Sequence, residues 1–441
     1  MKSMRLFLVI ALLLAMAFLV GTAQAGNFTY TSGIQVQNLD NSQASVTLTF
    51  YNQDGTKENT VTDNIAANGS KTYFPLNQVA EGFNGSVVIA SENRVAAVSN
   101  IHGNNFSANA SFVASSSGSP EVSIPLLMKD NSGYDTWFNV QNTASSGDAS
   151  VTVDYSDGTT ASATVKPGAA KTFDQSTETH SANVFSATVD SSQPVAVTVI
   201  EENPTTMFAY NCFLTASTNP VMPLVNTNNS GYTTGIQIQN TGDQQTTVEV
   251  SYTPASAGQA CKETQTIQAG KSLTFALRAF TGNVGYSDCV VGAKFIGSAR
   301  VTGNNNDQPL VAVANQHILG LNGEAYGSFD PDAATGKVVM PLIMDRNSGY
   351  WTGFNVMNVG SAQTTVNCTF TNTGYTASAT LAPGKALNAL QNGQISSGYV
   401  GSGTCTASGD GKIIAVVNEL GPSGSLDQLL VYEGINVTPA P

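Results

Sequence analysis

The sequence predicts an all-β protein built from antiparallel β-sandwiches that repeat along the chain. Its apolar stretches are only about four to eight residues long, and turn signals recur about every ten residues. Within these stretches apolar and polar side chains alternate strictly, which is the period of a half-buried strand. One segment also occurs four times, at intervals of roughly 100 residues. No part of the chain after residue 25 shows the apolar spacing of a helix.

The repeated segment is a strand that ends in asparagine. Its first copy reads Gly-Ile-Gln-Val-Gln-Asn, and the four copies end at Asn38, Asn142, Asn240 and Asn358. We expect these asparagines to cap turns through their side-chain amides. The chain after Ala25 divides into four units of about 104 residues, the size of one sandwich domain. Units one to four are predicted at 26–119, 120–218, 219–335 and 336–441.

The second strand of each unit shows the alternation most clearly. In unit one Val46, Leu48 and Phe50 lie on one face, and small polar residues lie on the other. One buried and one wet face is typical of an antiparallel sheet. Asp54-Gly55 and Asp157-Gly158 follow this strand in units one and two, and they predict hairpin turns because glycine tolerates positive φ.

The segment from Met1 to Ala25 has the pattern of an export signal. Lys2 and Arg5 precede the apolar run Leu6–Val20, and Ala23-Gln24-Ala25 is a cleavage site of the A-x-A type. The run is too short to span a bilayer comfortably, and no later segment approaches the necessary length. We therefore expect a mature chain that starts at Gly26, has no membrane span, and is secreted or held at the cell surface.

Unit one lacks a strand that the other units have. Units two, three and four open with Pro-Leu followed by Asn-Ser-Gly-Tyr, whereas unit one begins at the second of these segments. A missing first strand exposes a sheet edge, which can pair with another chain. One hypothesis is that the C-terminal segment 436–441 of one molecule adds as a strand to unit one of the next. The alternative is that unit one is a trimmed terminal cap.

The cysteines indicate an oxidising compartment. Cys368 and Cys405 align with core residues of unit three on alternating strands, which resembles a disulfide between two sheets. Cys261 and Cys289 would tie a strand to the insertion that lengthens unit three. A metal site is disfavoured, because no C-x-x-C pair occurs and histidine is scarce. Cys212 is left over, either as a buried inert thiol or as half of an intermolecular disulfide.

Charge and motifs exclude several function classes. The formal net charge of −13 repels phosphate, so the chain does not bind nucleic acid. Neither a G-x-S-x-G elbow nor an H-E-x-x-H helix occurs. His102 and His317 occupy the same position of the repeat in units one and three, and both are expected at exposed strand ends. Glu201-Glu202 is the only adjacent acidic pair, and it fits glycoside hydrolysis or, equally, an exposed strand end. The sequence therefore predicts no catalytic, cofactor-binding or metal-ligating residue.

Aromatic residues on the loops between units are candidate contact residues. They lie in or next to the repeated Asn-Ser-Gly-Tyr segments, where they could stack on sugars or bind proteins. The alternative is that their rings pack between neighbouring domains. The candidates are Tyr134, Trp137, Tyr232, Tyr350 and Trp351.

Unit size, alternation and repetition together resemble the tandem immunoglobulin-like arrays of bacterial secreted and cell-surface proteins. This resemblance covers the whole mature chain and implies a spacer, structural or adhesive role. The first hypothesis is a non-enzymatic extracellular structural protein, a rod of four domains that can associate with itself. The second is an adhesin or carbohydrate-binding array that uses the junction aromatics on a cell-surface glycan or protein. A third is an enzyme whose site lies outside the known motifs.

Overall fold

The computed structural model describes residues 26–276, 286–318, 321–421 and 427–437, and the predicted export signal lies outside them. The fold is all-β and consists of antiparallel sheets, as the alternation predicts. No helix in the described part of the chain is long and apolar enough to cross a bilayer.

The strands divide among the four units as follows. Unit one contains β1 (Tyr30–Asn38), β2 (Ala44–Asn52), β3 (Lys57–Ile65), β4 (Ser70–Tyr73), β5 (Gly85–Ser91), β6 (Val95–Gly103) and β7 (Ala108–Val113). Unit two contains β8 (Ser119–Met128), β9 (Asp135–Asn142), β10 (Ala149–Tyr155), β11 (Thr160–Val165), β12 (Ala170–Asp174), β13 (Val184–Glu202) and β14 (Met207–Asn211). Unit three contains β15 (Val221–Thr227), β16 (Thr233–Asn240), β17 (Thr246–Ala257), β18 (Cys261–Ile267), β19 (Ser272–Phe275), β20 (Tyr286–Ser287), β21 (Phe295–Asn304), β22 (Leu310–Ile318) and β23 (Asn322–Gly327). Unit four contains β24 (Lys337–Asp345), β25 (Trp351–Asn358), β26 (Thr364–Phe370), β27 (Thr376–Leu381), β28 (Ala386–Leu390), β29 (Tyr399–Ala407), β30 (Ile413–Leu420), β31 (Leu429–Glu433) and β32 (Ile435–Asn436).

Each unit pairs two sheets around a core. The inner sheet has the order β4-β1-β6-β7 in unit one, and its counterparts are β19-β16-β22-β23 in unit three and β28-β25-β30-β31 in unit four. The outer sheet is β3-β2-β5 in unit one. In unit two the long strand β13 belongs to both sheets. Alternate residues of the two sheets meet in the core, where Val36 of β1 packs with Val46, Leu48 and Phe50 of β2.

The four repeated asparagines cap turns, which confirms the sequence prediction. The side-chain amide of Asn240 donates to the carbonyls of Gln244 (2.7 Å) and Ile267 (3.3 Å) and accepts from the amide of Gly242 (3.0 Å). The other three make the same set of bonds in their own units. Each asparagine therefore ties the end of an inner strand to the outer sheet of its own unit.

The units form a closed ring, which replaces the expected rod. The cores of units two, three and four each include a valine of the inner sheet of the following unit, and these are Val313, Val416 and Val98. Val98 belongs to unit one, so unit four packs against unit one as unit three packs against unit four. An extended rod has no such joint between its first and last domains. Each inner sheet packs one face against its own outer sheet, and its other face lies against the preceding unit; in β9 of unit two this second face is only half-buried.

A second cluster shows that the closing joint has the same geometry as a consecutive joint. Between units three and four, Val221 and Phe329 pack with Val359 and Ile414. Between units four and one, the equivalent Val339 and Ile435 pack with Leu39 and Ala96. Strand β32 pairs with β24 of its own unit, and Val437 joins the same cluster. The described part of the C-terminal segment thus contacts unit one of its own chain, while residues 438–441 lie outside the described residues.

Candidate functional site

The last strands of the four inner sheets, β7, β14, β23 and β31, surround the axis of the ring. Each packs against the next, and β31 packs against β7. Each is the edge strand of its sheet, so its outer backbone N–H groups face the axis without a partner among the described strands. A buried N–H group needs an acceptor, and carboxylates from the chain supply it.

Asp427 holds the beginning of the axial strands together. Its Oδ2 accepts from the amides of Asn109 and Met207, and its Oδ1 accepts from the amide of Gly323, each at 3.2 Å. These residues belong to units one, two and three, whereas Asp427 belongs to unit four. Burial raises the pKa of its carboxyl to about 8, against the opposing effect of the amide donors.

Glu324 repeats this arrangement two residues further along the strands. Its carboxyl accepts from the amides of Ser111 (3.0 Å), Ala209 (2.6 Å) and Ala325 (2.9 Å), again from three different units. Burial raises its pKa well above the usual range. Two acidic side chains therefore satisfy the axial edges of three units.

A pocket of about 350 Å³ opens where the axial strands end. Residues of all four units line it, among them Val113, Asn211 and Glu433. Asn211 donates to the Val113 carbonyl at 2.6 Å, and Glu433 accepts from the amide of Gly327. Cys212 also lines the pocket, but burial raises the pKa of its thiol well above the usual value, so the thiol is not an activated nucleophile.

At each of three joints, a side chain at one position of the repeat contacts a side chain at a second position in the neighbouring unit. Between units two and three, Asn315 donates to Glu201 at 2.6 Å, and between units four and one, Asn100 donates to Glu419 at 2.8 Å. Between units one and two the residues at these two positions are Ile101 and Ile200, which belong to one apolar cluster. Burial raises the pKa of both glutamates to about 8. Their second oxygens have no hydrogen-bond partner among the described residues, which fits a protonated, neutral carboxyl.

Glu201 and Glu202 are not an exposed strand end. Both side chains are buried, and they point to opposite faces of β13 because they are consecutive. Glu202 accepts from the Tyr30 hydroxyl at 2.7 Å and from the amide of Asn27, so it joins unit two to unit one. The expectation of exposure was wrong because units one and three cover the two faces of β13 at this end.

The expectation that His102 lies exposed at a strand end is wrong for a similar reason, whereas His317 is half-buried. His102 is buried, and its Nδ1 lies 2.7 Å from Oδ1 of Asn109, while its ring packs on Phe106. Burial lowers its pKa, so the ring is neutral at pH 7. In unit two His180 is also enclosed, with Nδ1 3.1 Å from the Asp157 carboxylate, and it supports the predicted Asp157-Gly158 turn.

All five candidate aromatics are half-buried, and the hydroxyls of Tyr134, Tyr232 and Tyr350 lie near Asp427. The Tyr134 hydroxyl is 2.8 Å from that of Thr206, and Tyr232 accepts from Asn322 at 3.3 Å. Burial raises the pKa of Tyr350 to about 12. Trp137 packs edge-on against Tyr30 of unit one, whereas Trp351 begins β25 and is half-buried. The rings of Tyr134, Tyr232 and Tyr350 also pack against the cores of units two, three and four.

Two disulfides join Cys261 to Cys289 and Cys368 to Cys405, the pairs that the sequence suggests. The second pair is not between sheets, because Cys368 and Cys405 lie opposite each other on neighbouring strands of one sheet. Cys212 is free and buried, which disfavours an intermolecular disulfide. Among the described residues, the one group of side chains spaced for a metal is Cys261, Asp288 and Cys289, and the disulfide removes both of its thiolates.

No model of a protein family matches the chain, and no curated protein is significantly similar to it.

Proposed function

We propose that the chain is an exported, non-enzymatic structural protein of the cell exterior. In this proposal the segment from Met1 to Ala25 is removed as a signal peptide, and four immunoglobulin-like domains close into a ring that serves as a compact building block. The observation that carries it is the use of the buried acidic groups. Asp427, Glu324, Glu201 and Glu419 all bind backbone or amide groups of other units. These bonds hold the ring together.

The two disulfides and the uncharged strand surfaces support an extracellular location. Disulfides persist in oxidising compartments. Charged residues form only 11% of the chain, so the surfaces repel each other weakly and permit self-association.

Cell fractionation and electron microscopy test this proposal together. We expect the protein in the extracellular or surface fraction, with Gly26 as its first residue, and regular assemblies of the purified protein. A cytoplasmic chain that retains residues 1–25 would contradict the export, and a strictly monomeric exported protein would contradict the building-block role.

The second candidate function is glycan binding through the junction aromatics. Its support is that Tyr134, Tyr232 and Tyr350 lie near one end of the axis, where the charge of Asp427 contributes to raising the pKa of all three hydroxyls. A glycan array tests it. Specific retention that a Tyr232→Ala variant loses would favour this function over the structural one.

A further inference from the structure

The first strand of a unit has two roles in units two to four. Strands β8, β15 and β24 pair with β13, β21 and β29 of their own units. Each of them also packs against the inner sheet of the following unit. This covering strand therefore completes one sandwich and forms part of the next joint.

Unit one has no covering strand in the described residues. Strand β5 occupies the place of the first half of β13, but β2 is its one strand partner there. Val87 and Ile89 of β5 are half-buried, whereas their equivalents in unit two, Ala187 and Val189, are 1% and 0% exposed. The core of unit one is thus open along this edge.

Units one and two are spaced as units two and three are, so unit two does not occupy the place of the missing covering strand. The Gln141 amide donates to the Val87 carbonyl at 3.4 Å, and the Ser86 hydroxyl donates to the Gly168 carbonyl at 2.6 Å. The next joint has the same two bonds, from Gln239 to Ala187 and from Ser186 to Gly270, each at 3.3 Å. Strand β8 is in place at that joint, so this spacing between units leaves room for a covering strand.

Aromatic side chains occupy the half of the missing covering strand's place that lies nearest the axis. Phe28, Tyr30 and Trp137 form an edge-to-face cluster at the axial end of the first joint. Tyr210 of unit two donates to the carbonyl of Leu126 in its covering strand, but the equivalent residue in unit one is Phe112, which has no hydroxyl. Unit one is therefore built to take the outer half of a covering strand only, at the level of Val87 and Ile89.

We propose that this edge of β5 accepts a short extended segment of another polypeptide. The covering strand of unit two defines its chemistry: aliphatic residues at alternate positions, as Val122 and Ile124, whose side chains are fully buried in the sandwich. Main-chain bonds to β5 give affinity, and the two aliphatic side chains give specificity. The proposal rests on the removal of residues 1–25, so it is tested on protein that begins at Gly26.

A synthetic peptide tests the acceptor edge directly. The peptide copies Ser119–Pro125 of this chain, carries a fluorophore, and is titrated with the purified protein by anisotropy. We expect saturable binding of one peptide per chain, with hydrogen-exchange protection confined to 85–91. A peptide with serine in place of Val122 and Ile124 is expected to bind at least tenfold more weakly. Equal binding of the two peptides, or protection elsewhere, would overturn the proposal.

A fused strand gives an independent test. The sequence of Ser119–Pro125, followed by a short Gly/Ser linker, is placed before Asn27 in the register that β8 has in unit two. We expect a higher thermal midpoint than in the same fusion with serine at both aliphatic positions, and loss of peptide binding. An unchanged midpoint together with undiminished peptide binding would refute an acceptor edge at β5.

Discussion

Replacing Glu201 with glutamine is expected to stabilise the protein by an amount that grows with pH. Glu201 is buried between units two and three and has a raised pKa of about 8, compared with the usual 4.5. The folded protein therefore keeps this proton above pH 4.5, where the unfolded chain has lost it. Stability falls as pH rises from 4.5 to 8, because the unfolded state binds fewer protons than the folded state.

The size of the effect follows from the difference between the folded and unfolded pKa values. A tenfold change in an acid dissociation constant corresponds to about 1.4 kcal/mol, so the loss is complete above pH 8 at about 5 kcal/mol. This is the largest difference that the single carboxyl can produce. Glutamine removes the titration and keeps an acceptor for the Asn315 amide. At the repeat position of Glu201, unit three has Gln316, which is 1% exposed, so a buried amide is compatible with this position.

Urea unfolding of Glu201→Gln and the parent protein at pH 4, 7 and 9 measures this effect. The difference in free energy of unfolding should be smallest at pH 4 and should increase by several kcal/mol up to pH 9. Glu121→Gln is the matched control, since Glu121 is exposed, and it should change stability by less than about 0.5 kcal/mol at each pH. A Glu201→Gln difference that is the same at all three pH values would refute a buried neutral carboxyl at this joint.

Two further predictions concern the axis and the core. Asp427→Ala leaves three buried backbone amides without an acceptor, so urea unfolding should show a loss of at least about 3 kcal/mol; a loss below about 1 kcal/mol would contradict the bridging role. Replacing both Cys368 and Cys405 by valine should leave the protein folded and less stable by about 3–4 kcal/mol, because Val250 and Val301 form the equivalent cross-strand pair in unit three. Circular dichroism and urea unfolding check this, and a double variant that does not fold would show that the valine pair is not equivalent.

The features that the sequence predicts correctly depend on local patterns. Alternation in Val46, Leu48 and Phe50 identifies a strand with one buried face, and Asn240 marks the turn that it caps. These features need only neighbours within one unit. The two disulfide pairs likewise follow from the positions of cysteines within a unit.

The arrangement of the units depends on distant contacts that one unit cannot reveal. His102 and Glu202 are expected at the surface because a two-layer sandwich leaves one face of each sheet wet, but the ring covers that face. A signal for the joints was nevertheless present. The two repeat positions that contain Glu201 and Asn315 have an acid opposite an amide at two joints, and isoleucine opposite isoleucine at another. For Asp427 and Glu324 no such signal exists, since each is a single acidic residue without a counterpart in the other units.

Small-angle X-ray scattering of the monomeric protein from Gly26 to Pro441 tests the central claim, the closed ring, most directly. A compact chain of this length has a radius of gyration of about 22 Å. Four domains in line, each with a radius of gyration of about 13 Å, would give about 40 Å. We predict the radius of gyration of the compact chain, and a value that matches four domains in line would contradict the joint between units four and one.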